Sequence, residues 1–325
     1  MSRFTRICVI TGGVILLLTV VVVGGAIWLG VGAFGVSPTS NGIPTDVSST
    51  GDANAVDSPQ TTSTPTNVAG RVDVELDIPA DGSLPDLTPR EGEHPLARTL
   101  AWAKRELPRV EQLAGYSAVF TKRETLDGKL GETTQMFLKM RHQPLSIYLR
   151  YESPKKNKGV EAIYLESPNT PAGKGKMWGH GVGLERLVGT LELDPYGKIA
   201  MLGQKYPITT IGILKMLNLL IEVGSKDTAY GECEVKFTPD MVWSGRHCAE
   251  VVVTHPVQRE HFLFYQAIIR VDLETHLPVF YQAYSWPMNG EKPSLIEEFY
   301  YEKVQLLDNL TDEDFNPKNS AYQFP

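Results

Sequence analysis

Between Ile7 and Val36 the chain runs thirty residues without a charged side chain, directly behind Arg3 and Arg6. No other segment restricts the choice of structure so tightly. An apolar run of about 18 or more residues can cross the roughly 30 Å hydrocarbon layer as a helix, whereas a cleavable signal peptide carries only about 7 to 15. Gly24, Gly25, Gly30 and Gly32 fit this reading, because glycine is common inside membrane helices. Arg3 and Arg6, with no Asp or Glu among the first 45 residues, favour a cytoplasmic N-terminus. The expected organisation is a cytoplasmic stub (1–6), an uncleaved membrane anchor (7–36) and an exported remainder. Cleavage around residues 33–36 is the rival reading.

The charge divides unevenly along the rest. The whole chain carries −7, but residues 37–95 hold ten acids against Arg71 and Arg90, which leaves the part from Leu96 onward near neutrality. A near-neutral domain has no field that attracts nucleic acid, so that class of partner is excluded. Residues 37–94 also lack Phe, Trp and Tyr, and Ser, Thr and Pro crowd their first half. Such a segment buries too little apolar surface to offset its ordering entropy. It is expected to be a disordered linker with a reach of about 40 to 45 Å, and the globular domain is expected over 95–325.

Within that domain the period of the apolar residues changes twice. Leu96, Leu100, Ala103, Leu107 and Val110 step by four and three, which predicts a helix from Pro95, with Pro108 set to kink or split it. Met136, Leu138 and Met140 then alternate with polar neighbours, as do Leu145, Ile147 and Leu149. Strands are predicted at 116–125, 132–142, 145–152 and 160–166, and later at 230–237, 246–255, 261–273, 277–286 and 294–306. Between the two sets lie a glycine-rich loop (167–189) and a second helix over 209–223. That helix is capped by Thr209 or Thr210, stopped by Gly224 and apolar nearly all round. It is too short to span a bilayer, so it is expected to be buried in protein. Helices and strands do not alternate, so the class is α+β. The expected architecture is one large curled antiparallel sheet, a half-barrel of nine to eleven strands with both helices on its concave face.

Cys233 and Cys248 fall in the exported part, where disulfides persist. If their hairpin turns between Asp240 and Met241, the two cysteines face each other and a bridge is expected, closing a loop worth about 3 kcal/mol. Two buried free thiols are the alternative.

No constellation of side chains points to catalysis. His255, Glu260 and His261 have spacings of no metal motif, and residues 173–176 lack the pattern of a phosphate loop. No cofactor is expected. His180, between two glycines, is the histidine best placed for a role, though a plain loop residue is the simpler reading. Glu297-Glu298 and the Asp312/Asp314 pair read as solvated edges. Lys155, Lys156 and Lys158 read as a solvated turn, or as a contact for anionic lipid headgroups. The apolar set Met136, Leu138, Met140, Leu145, Ile147 and Leu149, together with Ile211, Leu214, Leu217 and Leu220, forms either a plain core or the lining of a cavity. The methionines suit an adaptable cavity.

The segment from Tyr116 through Thr121, Lys122, Arg123 and Glu124 to Gly128 resembles an uncharacterised bacterial envelope family, domain-of-unknown-function family 1571. So do KMRHQPLSIYLRY (139–151), the stretch Gly159 to Tyr164, and the closing Asp314-Phe315-Asn316-Pro317-Lys318-Asn319 with Tyr322. The resemblance covers about residues 96–324. More distantly, the order of elements is similar to the LolA-like lipoprotein carriers, half-barrels that enclose an apolar cavity beneath helices. These resemblances imply an inner-membrane-anchored, periplasmic, non-enzymatic module that binds a lipid, lipoprotein or other apolar ligand. An interaction or sensor domain with a filled core is the alternative.

Overall fold

The period-two segments pair into one antiparallel sheet of twelve strands in the computed structural model, which describes residues 70–167, 175–288 and 290–325. The first group is β1 (Gly115–Leu126), β2 (Lys129–Leu130), β3 (Thr134–Arg141), β4 (Ser146–Ser153), β5 (Glu161–Glu166), β6 (Gly175–His180) and β7 (Leu191–Leu193). The second is β8 (Glu234–Trp243), β9 (Arg246–Thr254), β10 (Gln266–Asp272), β11 (Pro278–Tyr284) and β12 (Leu295–Leu307). Across the sheet the order is β7-β6-β5-β4-β3-β1-β12-β11-β10-β9-β8, with β2 paired to β1 alone. Two meanders therefore share β1 as the strand between them, Phe120 facing Met136 on one side and Tyr301 on the other. The expected nine to eleven strands become twelve partly through β2 and β7, which are too short for alternation to register.

The helices α1 (Ala97–Glu111) and α2 (Ile213–Asp227) lie on the sheet face that carries Tyr116, Phe120 and Met140. Two tyrosines from the sheet fix the start of α2. The Gly212 N–H donates to Tyr301 Oη at 3.0 Å, and the Ile213 N–H donates to Tyr116 Oη at 2.9 Å. These phenols satisfy donors that helix geometry leaves orphaned at an N-terminus. Burial pushes both hydroxyls well above the ordinary tyrosine range. Gly212 has φ +123°, and a Cβ there would lie 2.6 Å from Met140 Sδ, so only glycine fits the joint.

The opposite sheet face is covered by the C-terminal tail. Tyr148, Ile163 and Phe315 are buried there beside Phe137, Trp178 and Tyr322, and Tyr148 stacks on Tyr322 with centroids 4.0 Å apart. A buried carboxylate clasps the tail: Glu161 accepts from Tyr148 Oη at 2.9 Å and from the Gln323 N–H at 2.8 Å, with His180 Nε2 at 3.2 Å.

Several expectations are corrected. Part of the stretch expected as linker lies against the domain, at Pro85, Leu87 and His94. Leu87 is fully buried, and the buried Arg98 donates through Nε and Nη2 to Asp86 O at 3.1 and 3.0 Å. Pro108 sits in the last turn of α1 without splitting it, since it removes a single backbone bond from a helix pinned by buried Leu100, Ala103 and Val110. Thr209 and Thr210 belong to a 3-10 turn rather than to the cap of α2, and Gly224 lies inside that helix instead of stopping it. A Cβ on Gly224 would meet Leu100 Cδ2 at 3.0 Å, so the glycine lets α1 and α2 touch. Nor is α2 buried all round, because Leu219 is 44% exposed.

The expected Cys233–Cys248 disulfide is absent; both cysteines are free and buried. The hairpin turns at Ser244 and Gly245, with φ +49° and +76°, a pair of positive values suited to a two-residue type I′ turn. Met241 therefore faces Cys248, and Glu234 faces Thr254, which leaves the cysteines about seven residues out of register, roughly 23 Å along the strands. The expected turn between Asp240 and Met241 lies within β8, an edge strand that tolerates Pro239.

The expected anchor at 7–36 and the linker before residue 70 lie outside the described residues. Among the described residues no helix is long and apolar enough to cross a membrane.

Candidate functional site

A cavity of about 620 Å³ opens between the two helices and strands β1 and β9–β12 of the sheet. Ligand sites usually span about 300 to 1,000 Å³. Its floor follows directly from strand register. Glu124, Glu297, Ala283, Ala267 and Val253 stand in one row across β1, β12, β11, β10 and β9. Lys122, Phe299, Tyr281, Ile269 and Val251 form the next row, and every one of these ten residues lines the cavity. Five strands at about 4.8 Å spacing make a floor roughly 19 Å across. The roof comes from α1, through Leu100, Trp102 and Ala103, and from α2, through Met216, Leu217 and Leu220.

Side-chain size explains why the space lies on this half. On β3 and β4 the helix-facing positions are filled by Met136, Leu138, Met140, Ile147 and Leu149, all buried in the core, with Leu145 packed against them. On β10 and β11 the cross-strand pair Ala267 and Ala283 leaves the volume of two larger side chains empty. Of the ten residues named from sequence, Ile211, Leu217 and Leu220 line the cavity. Leu214 packs against the core without lining it, and none of the six strand residues reaches it. Sequence reasoning left these larger apolar side chains open as plain core or lining, and the six from Met136 to Leu149 are core. The usable signal was the small ones, alanines in phase on neighbouring strands.

The two ends of the floor differ in chemistry. At the β1–β12 end Lys122 Nζ donates to Glu124 Oε2 at 2.5 Å and to Gln204 Oε1 at 2.6 Å. Lys205 Nζ and Tyr206 Oη donate to Glu297 Oε2 at 2.5 and 2.8 Å. Burial, then the Glu297 carboxylate, pushes the Tyr206 and Tyr281 hydroxyls upward. Burial works against the charge on Lys205, but the carboxylate outweighs it and holds the ammonium above its ordinary value. Glu297 is thus no solvated edge. At the β9 end Asp227 lines the cavity and lies 3.4 Å from His255 Nε2, while His255 Nδ1 is 3.0 Å from Phe264 O.

Other residues singled out in the sequence have structural partners. His180 belongs to the tail clasp. His261 stacks on Tyr230 at 3.6 Å, and no cluster suited to a metal occurs among the described residues. Lys156 pairs with Glu132 at 2.7 Å on the surface. Asp312 and Asp314 hold Arg141 and Lys139 at 2.6 and 3.1 Å.

No curated protein matches the chain. Among solved structures, lipoprotein LppX from Mycobacterium tuberculosis is 12% identical, with 65% of this chain and 97% of that one covered at a TM-score of 0.35. A DUF1329 family protein from Desulfovibrio piger is 13% identical, with 70% and 99% covered at 0.32. A LolA superfamily protein from Nitrosomonas europaea is 10% identical, with 66% and 97% covered at 0.27. Likenesses at these scores carry no functional argument. The match to a family is of another kind: residues 113–324 fit the family described as "Protein of unknown function (DUF1571)", and the chain belongs to that family.

Proposed function

We propose that this chain is a non-enzymatic binding module for an apolar ligand, the acyl chain of a lipid or lipoprotein, held between α1, α2 and strands β1 and β9–β12. The observation that carries the reading is the cavity itself, about 620 Å³ and lined mainly by aliphatic and aromatic side chains. A filled core would have closed around Ala267 and Ala283, because an empty space of this size forfeits packing energy throughout its lining. Its floor is long and narrow, as a hydrocarbon chain requires, and the charged side chains of the floor, Lys122, Glu124 and Glu297, gather on β1 and β12.

The uncharged run of 7–36 supports a further part of the proposal, that the domain works outside the cytoplasm, tethered to the membrane that holds its ligand. An alkaline phosphatase fused after Pro325 is expected to be active; an inactive fusion in an exporting cell overturns that topology.

For the cavity, the fragment 70–325 is expected to bind a naphthylamine probe with micromolar affinity. Ala283→Trp, which fills the floor, is expected to abolish binding while cooperative unfolding persists. A folded fragment that takes up no probe and carries no lipid defeats the proposal. That result would favour docking on a protein partner, a reading supported by the exposed apolar side chains of Leu184, Leu187, Tyr196, Ile199 and Leu202.

A further inference from the structure

The lining residues that are also exposed mark where the cavity meets solvent. They are Thr210, Lys215, Asn218, Leu219 and Glu222, on α2 and the turn before it, and Leu263, on the segment 255–265 that joins β9 to β10. A lone exposed leucine is ordinary on a protein surface. Leu219 and Leu263 differ, because they are 44% and 67% exposed and line the cavity as well, so its apolar wall runs out to solvent at both.

Contacts fix how the two leucines stand. His255 Nε2 lies 3.4 Å from Asp227, the last residue of α2. The His255 N–H donates to Tyr265 O at 2.7 Å, and His255 Nδ1 is 3.0 Å from Phe264 O. Leu263 therefore adjoins the last turn of α2, and Leu219 lies about two turns, roughly 12 Å, up the same helix. The charges around them balance. Glu222 pairs with Lys226 and Arg259 with Glu232, each at 2.7 Å, and the exposed Lys215 and Glu260 are opposite in sign. A neutral rim gains nothing from an anionic partner.

The same rim adjoins the place where the described chain begins, at residue 70. The His94 N–H donates to Arg71 O at 2.9 Å, and His94 Nε2 is 2.9 Å from Tyr230 O. The Tyr230 ring stacks on His261 at 3.6 Å, two residues before Leu263. Only residues 37–69 separate this point from the uncharged run 7–36. A coil of that length averages about 30 Å end to end, less than the roughly 45 Å diameter of a domain of this size. With the run in a bilayer, the face held nearest to it carries Tyr230, His261 and Leu263.

On the premise that the cavity binds an apolar chain, we infer that this rim is a membrane-docking surface. Leu219 and Leu263 seat in the acyl layer of the bilayer, and the ligand's chain passes between them into the cavity without crossing water.

The test uses the full-length chain in phosphatidylcholine nanodiscs, carrying Cys8→Ser. A nitrobenzoxadiazole dye is attached in turn at Leu219→Cys, Leu263→Cys or Leu187→Cys, while Cys233 and Cys248 are buried and stay unlabelled. Leu187, 83% exposed on the turn Gly183–Val188, is the control. Lipids with a nitroxide on the acyl chain are expected to quench the dye at 219 and 263 but not at 187, equally at low and high salt. Leu219→Asp, read by the dye at 263, is expected to lower the ratio of docked to free domain about tenfold, as withdrawing one leucine side chain from an apolar layer does.

Quenching at 187 as strong as at 219 and 263 overturns the docking, and so does quenching that salt abolishes. A dye shifted to the blue at 219 and 263 yet untouched by nitroxide lipid means that a protein covers the rim, which also overturns it. No quenching at either leucine, with the naphthylamine probe still bound, overturns the docking and leaves the binding proposal standing. Quenching at both leucines with no probe uptake removes the binding proposal and leaves the rim a membrane contact without cargo.

Discussion

Cys233 and Cys248 show how far a single residue's fate depends on its neighbours. Burial, followed by nearby acids, pushes the Cys233 thiol up to about 12, and burial and Asp272 push Cys248 up to about 11. Thiolate is the reactive form, so both should be inert in the native state at pH 8. Iodoacetamide is expected to modify neither until the chain is denatured, and then to modify both without a reductant. Peptide mapping reads the result, and labelling only after reduction would restore the disulfide. Gly212 offers the sharper stability test. Gly212→Ala places a methyl against Met140 at φ +123° and disturbs the Tyr301 and Tyr116 hydrogen bonds that start α2. A loss of about 2–4 kcal/mol in urea unfolding is expected, combining backbone strain with overpacking. Neither joint could be read from sequence, because each depends on atoms far away in the chain. The charged residues Lys122 and Glu124 were legible only as part of a family block, since their burial is decided by which loop, residues 204–206, closes over them.

At the scale of elements, alternation identified the principal strands because each has one face on a core, and the register of β3 with β4 kept Met136, Leu138, Ile147 and Leu149 on that face. Turns were less legible. The turn expected between Asp240 and Met241 falls inside β8, at an edge where Pro239 costs little, and the positive φ values of Ser244 and Gly245 set the register instead. The α1–α2 contact gives a graded prediction. Gly224→Ala asks Leu100 Cδ2 to move a few tenths of an ångström and gains helix propensity, so its net effect should fall within about 1 kcal/mol of zero. Gly224→Leu has no such room and should cost about 1–3 kcal/mol while parting the helices. Thermal unfolding of both variants, with probe binding as a second readout, checks the pair. Equal loss in both would mean that the glycine serves the backbone rather than the contact.

At the scale of the whole molecule the sheet is covered on its two faces by different means, helices over the cavity side and the tail 308–325 over Tyr148, Ile163 and Phe137. Truncation after Leu307 uncovers those rings. A naphthalene-sulfonate dye should then bind, and the melting temperature should fall; an unchanged melt would make the tail decorative. Removing Phe315 alone should cost about 3–5 kcal/mol, the usual range for deleting a buried phenylalanine side chain. The placement of β1 also governs how the protein can be made. Synthesis delivers β1 well before its partner β12, so Phe120 waits for Tyr301 while all the elements between them are made. During that interval the first meander can assemble with β1 at its rim, hydrogen-bonding groups unpaired and ready to capture another nascent copy. What a growing chain needs from its chaperones is therefore shelter for one strand's edge, and the need lasts until β12 has been made and paired.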